Sequence, residues 1–179
     1  MTKELPPNTD AKPIAPLGAS KKTIQEFAEK VAAALEFQPG EALEAIVSRL
    51  GGKLEIGQLF EEGEYESGSI EVRGERDFTI LLAYSTSPLR DRFTVAHELG
   101  HYFLHSMAGK NPLKVARAGS HRVEWEANWF AASFLMPEQV MQAKHTEFDG
   151  LVYSMAHYFM VSTRAIEVRC KDLGLKVRH

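Results

Sequence analysis

Three residues in one short run can do metal chemistry: His97, Glu98 and His101, in His97-Glu98-Leu99-Gly100-His101. On a helix, residues four apart lie one above the other, so the two imidazoles face the same way. Neutral imidazoles are good zinc ligands, and a carboxylate between them can serve a reacting water as general base. A catalytic zinc needs a third protein ligand and one open position. His105 lies on the same face but too far along. At about 1.5 Å of rise per residue it sits roughly 12 Å from His97, while zinc–nitrogen bonds are only about 2 Å long. It is read as a neighbour that packs against or hydrogen-bonds the ligands.

The third ligand is sought in the run from His121 to Pro137, which reads as a second helix opened by Gly119-Ser120 and stopped by Pro137. Val123, Ala127, Phe130, Ala131 and Phe134 form its core-facing stripe. Glu124 borders that stripe, Asn128 lies one turn further on the same side, and Glu126 is expected to project toward solvent. Glu124 is the preferred ligand, Glu126 the second choice and His121 the outside alternative. An amide one turn beyond a ligand suits a group that orients a histidine.

Together the two stretches, R-F-T-x-A-H-E-L-G-H-x-x-L-H from Arg92 and E-x-x-A-N-x-F-A-A-x-x-L-M-P from Glu124, resemble the ImmA/IrrE family of bacterial zinc metallopeptidases. The resemblance extends over roughly residues 25 to 179. It implies a zincin-like site in which His97, His101 and Glu124 hold Zn2+ (with Mn2+ as a substitute), Glu98 is the catalytic base and Asn128 supports a ligand from behind. It also implies a cytoplasmic regulatory endopeptidase that cleaves a helix-turn-helix transcriptional repressor and so derepresses mobile-element or stress-response genes. The alternative is a non-catalytic zinc-containing module that sequesters a repressor or toxin. The intact Glu98 speaks against it, because a purely structural site has no use for a base.

The elements that must position these residues follow from periodicity. Ser87 and Pro88 open the helix of His97, and Gly109 with Asn111-Pro112 stops it. Ahead of it, Lys53–Phe60, Gly68–Val72 and Phe78–Tyr84 read as three strands, with Glu61–Glu66 an acidic loop and Gly74–Asp77 a hairpin turn. Lys21–Leu35 and Glu41–Leu50 read as amphipathic helices behind that sheet. The expected architecture is α+β: a small three-stranded sheet on the two motif helices. Phe78–Tyr84 is considered as a cleft edge for strand addition by a substrate or as a buried central strand. The basic connection with Lys110, Lys114, Arg117 and Arg122 is read as a surface loop or a cleft wall.

Residues 1–20 carry Pro6, Pro7, Pro13 and Pro16 and are read as a flexible leader, residues 21–140 as the peptidase domain and 141–179 as a C-terminal subdomain. Within the last, Leu151 to Leu175 has helix-turn-helix-like spacing, with Arg164, Arg169 and Lys171 decorating its second helix. A formal net charge of −3 argues against direct DNA binding. His157 and Tyr158 are candidate oxyanion donors. No run is long and apolar enough to span a membrane. The single cysteine, Cys170, is placed in the core and allows no internal disulfide.

Overall fold

A computed structural model describes residues 14–57, 68–84, 87–115 and 121–179. The end of the first expected strand, the acidic Glu61–Glu66 run, Arg117 and residues 1–13 of the expected leader lie outside them.

The architecture is α+β, with helices α1 (Lys21–Ala34), α2 (Leu43–Arg49), α3 (Pro88–Gly100), α4 (His121–Leu135), α5 (Glu138–Glu147), α6 (Val152–Phe159) and α7 (Thr163–Asp172). The strands are β1 (Gly52–Gly57), β2 (Gly68–Gly74), β3 (Asp77–Ala83) and β4 (Leu113–Val115). They form one mixed sheet in the order β1-β3-β2-β4. β1 runs parallel to β3, while β2 pairs antiparallel with both β3 and β4.

Two expectations are corrected here. Among the described residues the sheet has four strands, because Leu113-Lys114-Val115, in the stretch read as a surface loop or cleft wall, pairs with Ile70, Glu71 and Val72. Only its alternation of a half-buried, an exposed and a buried residue hints at this, and three residues are too few to establish a period. β3 is paired on both sides, to β1 and β2 along its length, so it offers no edge for strand addition. Its near-continuous apolar run is that of an interior strand.

The apolar cluster is continuous from Ile24 and Ala28 of α1, through Phe78 and Ile80 of β3 and Leu99 of α3, to Ile166 and Cys170 of α7. Ring pairs tie its layers together: Phe78 to Tyr102 at 4.4 Å and Phe37 to Phe134 at 4.7 Å between centroids. Burial of Cys170 pushes its thiol pKa up, as expected of an inert core cysteine. No helix among the described residues is long and apolar enough to cross a membrane.

α6 and α7 are joined through Met160, in the left-handed conformation, and Ser162, whose hydroxyl accepts from Ala165 N–H and caps α7. Arg169 does not decorate the outer face of α7. It is 1% exposed, and its Nε donates to the Met136 carbonyl (3.0 Å) while Nη2 donates to Glu29 (2.8 Å). Of the three basic residues expected there, this one is withdrawn from any DNA-facing surface and instead fastens α7 to α1 and the end of α4. Glu29→Ala would leave the buried guanidinium without its counter-charge. Such a loss costs about 3–5 kcal/mol. The lower end is expected because the Glu29 side chain is 27% exposed, and urea unfolding of the variant checks it.

Candidate metal centre

The helix carrying His97 begins where its capping residues put it. Ser87 has extended backbone, its hydroxyl accepts from Arg90 N–H (3.3 Å), and Pro88 follows in the first turn. It does not continue as α-helix to Gly109. α3 ends at Gly100, and His101–His105 form a π-helical turn in which Ser106 N–H donates to the His101 carbonyl at 3.0 Å. Single π turns are rare and are found mostly at functional sites. Met107 is 56% exposed beyond that turn.

α4 must approach α3 closely if Glu124 is to reach the histidines, and Gly100 makes that possible. A Cβ at Gly100 would lie 3.0 Å from Ala127 Cα and 3.1 Å from the Ala127 carbonyl oxygen. The two helices therefore touch backbone to backbone, three residues beyond His97 on α3 and three beyond Glu124 on α4.

The result is a triangle of donor atoms. His97 Nε2 lies 3.1 Å from His101 Nε2 and 3.1 Å from Glu124 Oε2, and His101 Nε2 lies 3.6 Å from Glu124 Oε1. A tetrahedral zinc with bonds of about 2.0–2.1 Å sets its ligand atoms about 3.4 Å apart. His97, His101 and Glu124 are thus spaced to hold a divalent metal as they stand. His121 is exposed at the start of α4 and takes no part in this group.

The two imidazoles differ in how readily they hold a proton. Burial, with the neighbouring His97 and His105, holds the His101 pKa well below the ordinary histidine value, so it is a neutral imidazole. Burial also acts against a charged His97, but the hydrogen bond to Glu124 and the charges of Glu98 and Glu124 outweigh it and raise its pKa. Asn128 Oδ1 lies 2.9 Å from His97 Nδ1 and can only accept there. That fixes the proton on Nδ1 and leaves Nε2 free for a metal. Asn128→Ala is expected to weaken metal binding about 10–100-fold, the usual cost of losing such an orienting bond. Chelator competition measures it.

Glu98 is buried (4% exposed) one residue beyond His97. Strand β2 begins directly over it: a Cβ on Gly68 would come 2.6 Å from Thr94 Cγ2 and 3.6 Å from Glu98 Oε1. A bare backbone at that position keeps a side chain away from the carboxylate.

Glu126 corrects the helical phasing. It does not face solvent but is fully buried, at 0% exposure. On a helix of 3.6 residues per turn, Glu124 and Glu126 flank the apolar stripe about 80° to either side. Glu124 turns to His97 and His101, and Glu126 turns to His105, whose Nε2 is 3.1 Å from Glu126 Oε2. His105 in turn places Nδ1 3.0 Å from His101 Nδ1. Burial favours the neutral Glu126 carboxyl, but its bonds from Arg122, His105, Leu17 and Gly18 prevail and lower its pKa. The chain stretch from Ile14, part of the expected leader, supplies the last two donors. The sequence offers no signal for that docking, since backbone N–H groups are common to all residues.

His157 and Tyr158 lie on α6. His157 is exposed, and the Tyr158 ring packs against Phe148 and under the Lys144 ammonium, 4.4 Å from the centroid. Neither is hydrogen-bonded to His97 or His101 among the described residues.

No curated protein matches the chain. Among solved structures, a Mycobacterium tuberculosis transcriptional regulator superposes with a TM-score of 0.56 at 15% identity, over 88% of this chain and 48% of that one. At that identity the likeness is one of fold, and the chain spans about half the length of the regulator. The pattern of the Peptidase M78 family, described as the IrrE N-terminal-like domain, matches residues 65–171, a span that holds the HExxH run, the π turn and the whole of α4. The chain with the His97, His101 and Glu124 triangle therefore belongs to the Peptidase M78, IrrE N-terminal-like family.

Proposed function

We propose that the chain is a zinc-dependent endopeptidase with a regulatory role, cleaving a helix-turn-helix transcriptional repressor. The observation that carries the reading is the donor triangle of His97, His101 and Glu124 with the buried carboxylate of Glu98 beside it. Zinc in such a site supplies Lewis acidity for a peptide carbonyl and lowers the pKa of water.

The chain's own residues do the rest. With a metal in place His97 and His101 would present Nε2 as neutral imidazoles, and Asn128 holds the ring of His97 in that orientation. Glu98 accepts the proton of the attacking water and returns it to the departing amine nitrogen, so that the peptide bond breaks to a carboxylate and a free amine. A cleft of about 470 Å³ opens beside Asn128, lined by Phe93, Trp125, Trp129 and Val168. Its aromatic walls suit apolar side chains of a protein substrate.

The test is incubation of purified protein with candidate repressors in zinc or manganese, beside a Glu98→Gln control. Discrete fragments that depend on Glu98 support the proposal. Tight metal and repressor binding without cleavage would replace it with the sequestering module.

A further inference from the structure

Behind His101 runs a chain of groups that the peptidase reading does not use. His101 Nδ1 is 3.0 Å from His105 Nδ1, and His105 Nε2 is 3.1 Å from Glu126 Oε2. Glu126 also takes Leu17 N–H on Oε2 (2.7 Å), with Gly18 N–H and Arg122 Nε on Oε1 (both 2.9 Å). An ionised carboxylate offers about four acceptor sites, and here four donors fill them. Arg122 closes the loop by donating from Nη2 to the Ala19 carbonyl. His105 and Glu126 side chains are both fully buried.

The direction of each bond follows from the inventory of protons. A carboxylate fixed by two backbone N–H groups and a guanidinium can only accept, so His105 carries its proton on Nε2. Neutral His105 then has a lone pair on Nδ1, and His101 must donate from its own Nδ1. His101 is left with its lone pair on Nε2, the atom that faces Glu124 and His97. A single choice at Glu126 thus selects the metal-binding tautomer of His101 two residues away in the relay.

We propose that Glu126 and His105 are positioning residues of the metal centre, and that residues 14–19 form a strap whose docking on Glu126 helps set metal affinity. This rests on the metal site proposed above. It adds that the stretch ahead of α1 is part of that site's outer support and that its displacement loosens the metal.

The experiment is zinc affinity by chelator competition on the full chain, for the unaltered protein, Glu126→Gln, His105→Phe and the double variant. Glu126→Gln keeps the shape but puts donors against donors; His105→Phe keeps the ring volume and removes both relay bonds. Melting of the metal-free forms is followed in parallel, together with the visible spectrum of the cobalt-loaded forms. Each single change is expected to weaken zinc about 10–100-fold, to alter the cobalt bands, and to combine without adding, since both break one relay. Affinities within about threefold of the unaltered protein, unchanged cobalt bands, or losses that multiply in the double variant would overturn the proposal. If one variant fails to fold, the other alone still decides, by affinity and cobalt bands. Absence of zinc binding by the unaltered protein would instead remove the metal site itself.

Discussion

Glu98→Gln is expected to bind zinc like the unaltered protein and to lose peptide cleavage by about 100- to 10,000-fold. The argument is one of roles. Glu98 is not among the three residues whose donor atoms converge, so replacing it leaves the triangle intact. Gln matches Glu in size, and the site beneath Gly68, where there is no room to spare, accepts it without a shift of β2. An amide oxygen is too weak a base to take a proton from water. The loss is expected in kcat rather than KM, because the proton is moved only as the transition state forms. Elemental analysis of the purified variant and single-turnover cleavage check both halves. Full metal with full activity would give the base's role to another residue.

Glu124→Ala is expected to lose metal by more than the roughly 10–100-fold that accompanies loss of an outer hydrogen bond, because it removes one of three ligands. The fold should hardly notice. The Glu124 side chain is 30% exposed, and a partly exposed ion pair contributes about 0–1 kcal/mol. The two effects separate in one measurement: the metal-free melting temperature stays near that of the unaltered protein, while the rise on adding zinc disappears. Protons compete for the same site, and the sign is fixed by His97. Its pKa is raised, against the pull of burial, through the bond to Glu124. A raised pKa means that protons occupy Nε2 at a higher pH than for an ordinary imidazole. Zinc affinity of the unaltered protein should therefore begin to fall at that higher pH and keep falling as the solution is acidified.

What could be read from the chain beforehand divides along physical lines. The convergence of His97, His101 and Glu124 was legible because its signal is local: an i, i+4 pair of histidines with a glutamate inside it, and a glutamate at the edge of an apolar stripe one turn from an asparagine. Ser87-Pro88 marked the start of α3 by capping chemistry, which is local too. Glu126 was misplaced because helical phase alone cannot tell which of two residues symmetric about a stripe meets a neighbour. Both were to be covered, by different partners. β4 was missed because three residues owe their strand state to Ile70–Val72 across the ladder, not to their own preferences. Arg169 read as a surface base since arginine usually is one, and only the packing of α7 on α1 brings Glu29 to it.

The π turn at His101–His105 carries a consequence for how much this region can change in length. It contains one residue more per turn than an α-helix would, and that surplus sits between the last ligand and the imidazole that reaches Glu126. Deleting one of Tyr102, Phe103 or Leu104 would remove that surplus and let the helix run on at ordinary pitch, with the downstream imidazole on nearly the same side of the axis. His97, His101 and Glu124 would survive such a deletion, and the link from His101 to Glu126 would need only a small rotation to re-form. One residue is thus the loss of length this turn can absorb, whereas an insertion would add to the surplus and turn the downstream imidazole about 100° away from Glu126.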